Sequence, residues 1–160
     1  MTERPAARPG QPEADLHWLR EAIELSRRCP PSASAFSVGA VLVSAAGTVI
    51  ATGYSRERAP KDHAEEVALA RAAGDPLLTG ATLYSSLEPC LARASRPRSC
   101  VELITEAGVG RVVIAWLEPP LFVEGGGGGA LRSAGVEVVE VPWLAELARS
   151  ANAHLLGQSG

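Results

Sequence analysis

Two short stretches of this 160-residue chain hold the side chains best suited to chemistry. The first is Asp62-His63-Ala64-Glu65-Glu66. The second is Leu87-Glu88-Pro89-Cys90, with Cys100 ten residues beyond its cysteine. Together they offer one imidazole, two thiols and a carboxylate outside that set. A neutral imidazole and two thiolates bind Zn2+ well and leave a fourth position open. An open zinc site pulls the pKa of water down towards about 7. Glu65, two residues after His63, can then take that proton and deliver it to a reacting group. The set reads as a hydrolytic zinc centre with His63, Cys90 and Cys100 as ligands and Glu65 as catalytic acid/base.

Each residue alone has a plainer reading. A cysteine in a reduced chain is usually a buried apolar residue, and a histidine before a helix is usually a cap or a surface group. The conjunction favours the metal. The chain has three histidines and three cysteines, and three of those six fall in these two stretches. Asp62 is a good N-cap, with Glu65 three residues on as its capping-box partner. That structural role for Glu65 competes directly with the catalytic one, and geometry decides between them.

Composition narrows the class. The length suits one domain with a real core. A net charge of −3 gives no electrostatic footprint for bulk nucleic acid. Aromatic content of 4% offers few platforms for stacking bases. No apolar run approaches a membrane span, and the N-terminus lacks an export signal. Three cysteines without such a signal argue for reduced thiols and the cytoplasm. A small-molecule substrate fits best.

The elements that must position the site are set by periodicity. Residues 1–12 read as a disordered tail, 13–156 as the domain and 157–160 as a disordered end. Leu16, Leu19, Ala22, Ile23 and Ser26 predict an amphipathic helix over 13–29, ended by Pro30-Pro31. Cys29, at its end, has no spacing that ties it to the other cysteines and reads as structural. Ala35–Val43 and Val49–Tyr54 predict a hairpin whose first strand is central. Gly39 in that strand serves either a close ligand approach or packing. A second helix runs from His63 to about Ala73, and a third strand from Gly80 delivers Glu88-Pro89-Cys90. Glu88 reads as a group supporting the site or as a partner for an arginine. Arg93, Arg96 and Arg98 lie in the loop before Cys100, as a phosphate clamp or as solvated charges. Cys100 opens a third helix, and Arg111–Trp116 is a fourth buried strand. The loop from Glu118 to Phe122 could wall a pocket. Gly125–Gly129 lacks the Gly-Lys-Ser/Thr of a phosphate loop and reads as a flexible helix start or lid. Val136–Val141 and a helix from Trp143 to Leu156, with Trp143, Leu144, Leu147, Ala151 and Leu155 as its apolar side, complete the chain. One hairpin and then strands joined through helices imply a three-layer α/β/α sandwich around a five-stranded mixed sheet.

These residues carry a resemblance. His63-Ala64-Glu65, Gly80-Ala81-Thr82-Leu83-Tyr84, Ser86-Leu87-Glu88-Pro89-Cys90 and the distant Cys100 resemble the cytidine-deaminase-like superfamily. Its signature joins His-x-Glu to Pro-Cys and a second cysteine. Within it the longer Cys-to-Cys loop is similar to the deaminase domain of the RibD riboflavin-biosynthesis family, as are Arg111–Ala115 and Leu131–Val138. The resemblance implies a cytidine-deaminase-like fold with strand order 2-1-3-4-5, zinc at His63, Cys90 and Cys100, Glu65 as proton shuttle, and hydrolytic release of ammonia from an aminopyrimidine. It implies that the backbone at Ala64 and the Ser86 region orient the ring, and that the protein is a homo-oligomer, dimer or tetramer. Phe36, Arg93 and Arg96 join Ala64 and Ser86 as candidate substrate contacts.

Three departures bear on the substrate and leave the zinc chemistry alone. Ala35 and Phe36 stand where RibD members have Asn-Pro, and Phe36-Ser37-Val38-Gly39-Ala40 is similar instead to the Phe-x-Val-Gly-Ala of cytidine deaminases. Ala92 stands for a histidine, and Ser95-Arg96-Pro97-Arg98 for a Gly-Arg/Lys-Thr-Pro-Pro run. The reductase domain of RibD is not seen in the chain. The leading expectation is deamination of the riboflavin-pathway diaminohydroxyphosphoribosylaminopyrimidine. The alternative is another base, nucleoside or nucleotide of the cytosine, cytidine or dCMP type, or a specialised-metabolism pyrimidine. A metal-stabilised scaffold is disfavoured by Glu65, because a structural site needs no free carboxylate.

Overall fold

The computed structural model describes residues 8–91, 98–117 and 126–156. Five strands, β1 (Gly39–Val43), β2 (Val49–Tyr54), β3 (Thr82–Ser85), β4 (Arg111–Ile114) and β5 (Glu137–Glu140), form one sheet in the order β2-β1-β3-β4-β5. β1 pairs antiparallel with both β2 and β3, and β3–β4 and β4–β5 are parallel. The expected mixed sheet and strand order are borne out.

Strand alternation sorts the core into two layers. Ala40, Leu42, Leu83, Val112 and Ile114 face α2 (Ala64–Ala72), α3 (Cys100–Ala107) and α4 (Gly127–Ser133). Val41, Val43, Tyr84 and Val113 face α1 (Pro12–Ser26) and α5 (Ala145–Ser150). The result is the expected α/β/α sandwich. Every residue of β1 is buried, as a central strand requires.

Five elements have other boundaries than the sequence expectation. α1 opens at Pro12, a position where its missing N–H costs nothing, and stops at Ser26 rather than near Cys29. β1 starts at Gly39, not Ala35, because the amides before it bond to side chains. The Ser37 N–H donates to Asn152 Oδ1 at 2.6 Å and the Val38 N–H to Ser55 Oγ at 2.9 Å. β3 and β4 are likewise shorter than the apolar runs that contain them. The last helix is broken into a 3-10 turn at Pro142–Leu144, α5, and a second 3-10 turn at Ala153–Leu155. The first of these turns shifts the buried face to Leu144, Ala148 and Asn152 and leaves Trp143 68% and Leu147 43% exposed. Gly39 serves packing: a side chain there would overlap the Ala22 carbonyl oxygen of α1. Residues 1–7 of the expected 1–12 tail, the expected end at 157–160, the Glu118–Phe122 loop, and Ala92, Arg93, Ser95, Arg96 and Pro97 lie outside the described residues, and Pro12 of that tail belongs to α1.

A buried ion pair locks α1 to the sheet. Asp15 accepts from Arg111 Nη1 and Nη2 at 2.8 and 2.6 Å and from the Tyr84 hydroxyl at 2.6 Å. Burial works to raise the Asp15 carboxyl, but the hydrogen bonds from Arg111, Tyr84 and the Gly10 N–H outweigh it and hold it below the ordinary carboxylate value. A depressed carboxyl contributes stability that is present above its unfolded value near ~4 and is lost as pH falls through the folded one. Asp15→Ala, which leaves Arg111 and Tyr84 without this acceptor, is expected to lower stability by about 3 kcal/mol at pH 7. Urea unfolding at pH 7 and at acid pH checks this, with the gap narrowing in acid. A gap unchanged in acid would mean that the carboxylate charge contributes nothing.

Candidate metal centre

Helix starts and a strand end converge on one point. α2 begins at Ala64 with His63 as its N-cap, and α3 begins at Cys100 with Ser99 as its N-cap. β3 ends at Ser85 and leads through Ser86-Leu87-Glu88-Pro89 to Cys90. Ligand sites in open α/β sheets form beyond the carboxyl ends of strands, and this one does so.

The capping of α2 does not use Glu65. The expected pair Asp62/Glu65 is not the one that forms. Asp62 lies one residue too early and closes the preceding loop, accepting from the Arg58 and Ala59 N–H groups at 2.9 and 2.8 Å. Glu66, three residues after His63, takes the His63 N–H at 3.2 Å. Glu65 is left out of the cap and is buried, 3% exposed. Its Oε1 accepts from the Ser85 hydroxyl at 2.6 Å, and the same hydroxyl lies 2.7 Å from the Leu87 carbonyl oxygen.

The ligand atoms of His63, Cys90 and Cys100 all lie within 4.8 Å of one another. His63 Nδ1 is 3.6 Å from Cys90 Sγ and 3.3 Å from Cys100 Sγ. A tetrahedron with zinc–sulfur bonds of about 2.3 Å and a zinc–nitrogen bond of about 2.0 Å has sulfur–nitrogen edges of about 3.5 Å. The two sulfur–nitrogen separations therefore fit a zinc site. Both sulfurs are buried while His63 is part-exposed, so the group opens to solvent on the imidazole side.

Electrostatics favour thiolates. Cys100 sits at the first position of α3, where the helix dipole stabilises negative charge. Its N–H points at Cys90 Sγ, 3.3 Å away. The Cys100 side chain first, then the His63 ring, pull the Cys90 thiol well below its ordinary value against the opposing effect of burial. Cys29 lies apart from the cluster, and burial pushes its thiol up. It has no place among the three grouped ligands.

The candidate substrate contacts that are described have different surroundings. Ala64 is fully buried at the start of α2. Ser86 is committed to the start of β1: its N–H donates to the Gly39 carbonyl and its hydroxyl accepts the Gly39 N–H, both at 3.1 Å. Phe36 packs edge-on against Trp116 with ring centres 5.2 Å apart, in the core layer that also holds Ala64 and Leu87. Arg93 and Arg96 lie outside the described residues. Arg98 is exposed and paired with Glu106 of α3.

Three groups around the site escape a reading of the sequence. Ser85 engages the Glu65 carboxylate; its only signal was its place at the end of a strand leading to the cysteine. Arg56, with φ +58°, holds the loop that bears Phe36 through the Pro30 and Phe36 carbonyls and Ser37 Oγ. Asn152 clamps the same loop from the far end of the chain, bonding both the N–H and the carbonyl of Ser37. Nothing in its local sequence signals this.

Fold and ligand set together define a zinc-binding deaminase domain. The chain belongs to the cytidine and deoxycytidylate deaminase zinc-binding family, whose model matches residues 12–116. It is 41% identical over 126 residues to the diaminohydroxyphosphoribosylamino-pyrimidine deaminase of Schizosaccharomyces pombe, covering 77% of this chain and 31% of that one. It is 38% identical over 144 residues to the riboflavin biosynthesis protein RibD of Aquifex aeolicus, covering 88% of this chain and 38% of that one. Among solved structures, form 2 of RibD from Acinetobacter baumannii aligns over 91% of this chain and 40% of its own, with a TM-score of 0.76 at 34% identity. The Aspergillus oryzae Rib2 deaminase aligns over 91% and 92%, also at 0.76, with 25% identity. The chain thus spans about a third of the length of the first two relatives, in which it matches 31% and 38%.

Proposed function

We propose that this chain hydrolytically deaminates the aminopyrimidine nucleotide of the riboflavin pathway, the diaminohydroxyphosphoribosylaminopyrimidine for which its relative in Schizosaccharomyces pombe is named. The observation that carries the chemistry is the grouping of His63, Cys90 and Cys100 within 4.8 Å, with Glu65 buried two residues after His63 and outside the cap of its own helix. The substrate choice is supported by identity to the riboflavin-pathway relatives.

His63 Nδ1 and the sulfurs of Cys90 and Cys100 would hold zinc, which when bound would supply the Lewis acidity that lets water act as a nucleophile near neutral pH. Glu65 would carry one proton of the attacking water to the ring nitrogen and the other to the departing amine. The ring gains an oxygen and loses ammonia. Ser85 fixes the carboxylate of Glu65 for this transfer, a positioning role. Phe36, with Trp116 behind it, and the Ala64 backbone line the ring's approach, and Arg93 and Arg96 take the phosphate. Among the described residues no helix is long and apolar enough to cross a membrane. The enzyme acts on a small molecule, as a cytoplasmic homo-oligomer, and not on bulk nucleic acid.

Ammonia release by the zinc-loaded protein tests the reading, across the riboflavin-pathway aminopyrimidine phosphate, cytidine, dCMP, cytosine and guanine. Turnover of the first alone is expected. Turnover of another member instead would keep the mechanism and move the substrate, with Phe36 and the loop before Cys100 as the reason. No turnover of any would remove the activity.

Ser85→Ala is expected to lower kcat about tenfold with KM little changed, as loss of one charge-assisted hydrogen bond predicts. Ser85→Thr, which keeps the hydroxyl, is expected to recover most of it. Steady-state kinetics on the three proteins check this. Equal kcat for all three would remove Ser85 from the positioning of Glu65.

A further inference from the structure

Gly127 and Gly128 are packed against the loop that ends in Cys90, and the group that joins them to it is Glu88. α4 opens at Gly127, and the Gly128 N–H donates to Glu88 Oε2 at 2.8 Å in a buried contact. A Cβ on Gly127 would overlap the Pro89 carbonyl oxygen, and one on Gly128 would lie 3.0 Å from Glu88 Oε2. Only glycine at 127 lets α4 approach so closely. The same three-residue loop is tied on its other sides: the Glu88 N–H donates to the Trp116 carbonyl at 2.8 Å, and the Cys90 carbonyl accepts the Val101 N–H at 3.2 Å. The loop that ends in Cys90 is therefore held by the end of β4, the start of α3 and the start of α4. Glu88 itself is 7% exposed.

We infer that Glu88 is a positioning residue for the metal centre: through its bond to Gly128 it seats α4 on the Pro89 carbonyl and so fixes where Cys90 Sγ points. Gly127 and Gly128 are then the docking surface for the ligand loop. This assigns a purpose to two glycines of a stretch that carries no phosphate-loop pattern. Groups that orient a metal ligand from behind typically change metal affinity by about 10- to 100-fold when removed.

The inference rests on Cys90 as a metal ligand, so the test measures metal and not turnover. Zinc affinity is read by competition with a chromophoric chelator. Thiolate-to-metal charge-transfer bands are read on the cobalt-substituted protein. Glu88→Ala is expected to weaken zinc affinity about 10- to 100-fold and to shift the cobalt bands. Glu88→Gln, which keeps an acceptor oxygen for the Gly128 N–H, is expected to stay near wild type in both. Gly127→Ala is expected to match or exceed the effect of Glu88→Ala; if it fails to fold, the two Glu88 variants decide the matter. Cys90→Ser is the control for the site itself. Wild-type affinity and bands in Glu88→Ala, with metal lost in Cys90→Ser, would overturn the inference and leave the metal centre standing. Retained affinity in Cys90→Ser would overturn the ligand assignment instead. Equal loss in Glu88→Ala and Glu88→Gln would show that the hydrogen bond to Gly128 is not what positions the loop.

Discussion

Glu65→Gln is expected to lower kcat by about 10²- to 10⁴-fold, the span that general acid–base groups supply, with zinc content unchanged. The size is set by the roles that Glu65 does not have. It does not cap α2, because Glu66 takes the His63 N–H. It is not one of the three grouped ligands. Its carboxylate is buried and bonded to Ser85 Oγ at 2.6 Å. Glutamine has the same shape and keeps an oxygen for that bond, so the fold and the metal set are expected to survive. Glutamine lacks the capacity to take up and release a proton. Metal analysis, Tm and single-substrate kinetics on the same preparation separate these effects. A wild-type rate in Glu65→Gln, on a substrate the wild type turns over, would exclude Glu65 as the proton carrier.

Cys100→Ser is expected to abolish high-affinity zinc binding and all turnover. Cys100 is the ligand with the most structure behind it. It opens α3, its own N–H points at Cys90 Sγ, and it is fully buried. Serine keeps the helix start and the N–H but offers a hydroxyl that zinc binds poorly beside a thiolate and an imidazole. The wild-type protein should gain about 2.7 kcal/mol of stability at free zinc a hundred times its Kd, and the variant none at the same zinc. Thermal unfolding with and without zinc gives this comparison. Protons compete with the metal for both sulfurs and the imidazole, so zinc affinity falls as pH falls. The lowered Cys90 thiol keeps a thiolate available well below neutrality, which delays that loss. A Cys100→Ser protein that still bound zinc as the wild type does would remove Cys100 from the site.

How much was legible depended on the range of the interaction. The His-x-Glu and Pro-Cys stretches were readable because metal ligands must be particular residue types, and a helix start or strand end fixes their local direction. The cap of α2 was misread by one residue. Asp62/Glu65 and His63/Glu66 have the same spacing, and only the closure of the Arg58–Asp62 loop on the Asp62 carboxylate decides between them. The last helix was misread for a similar reason. Its apolar residues fit one continuous face, but the 3-10 turn at Pro142–Leu144 rotates the residues beyond it and exposes Trp143 and Leu147.

By itself the sequence determined the α/β/α class, the order of elements and the candidate metal group His63, Cys90 and Cys100, and it singled out Glu65. Periodicity and residue chemistry over a few positions are enough for these. Only the tertiary structure decided that Glu65 answers to Ser85, that Asn152 holds Ser37 across 115 residues, and that Glu88 seats the glycine run across 40. Each of these is a hydrogen-bonded contact between positions that the sheet order β2-β1-β3-β4-β5 brings together. A serine, an asparagine or a glycine carries no periodic signal of its own. Its partner exists only once the strands between them have paired.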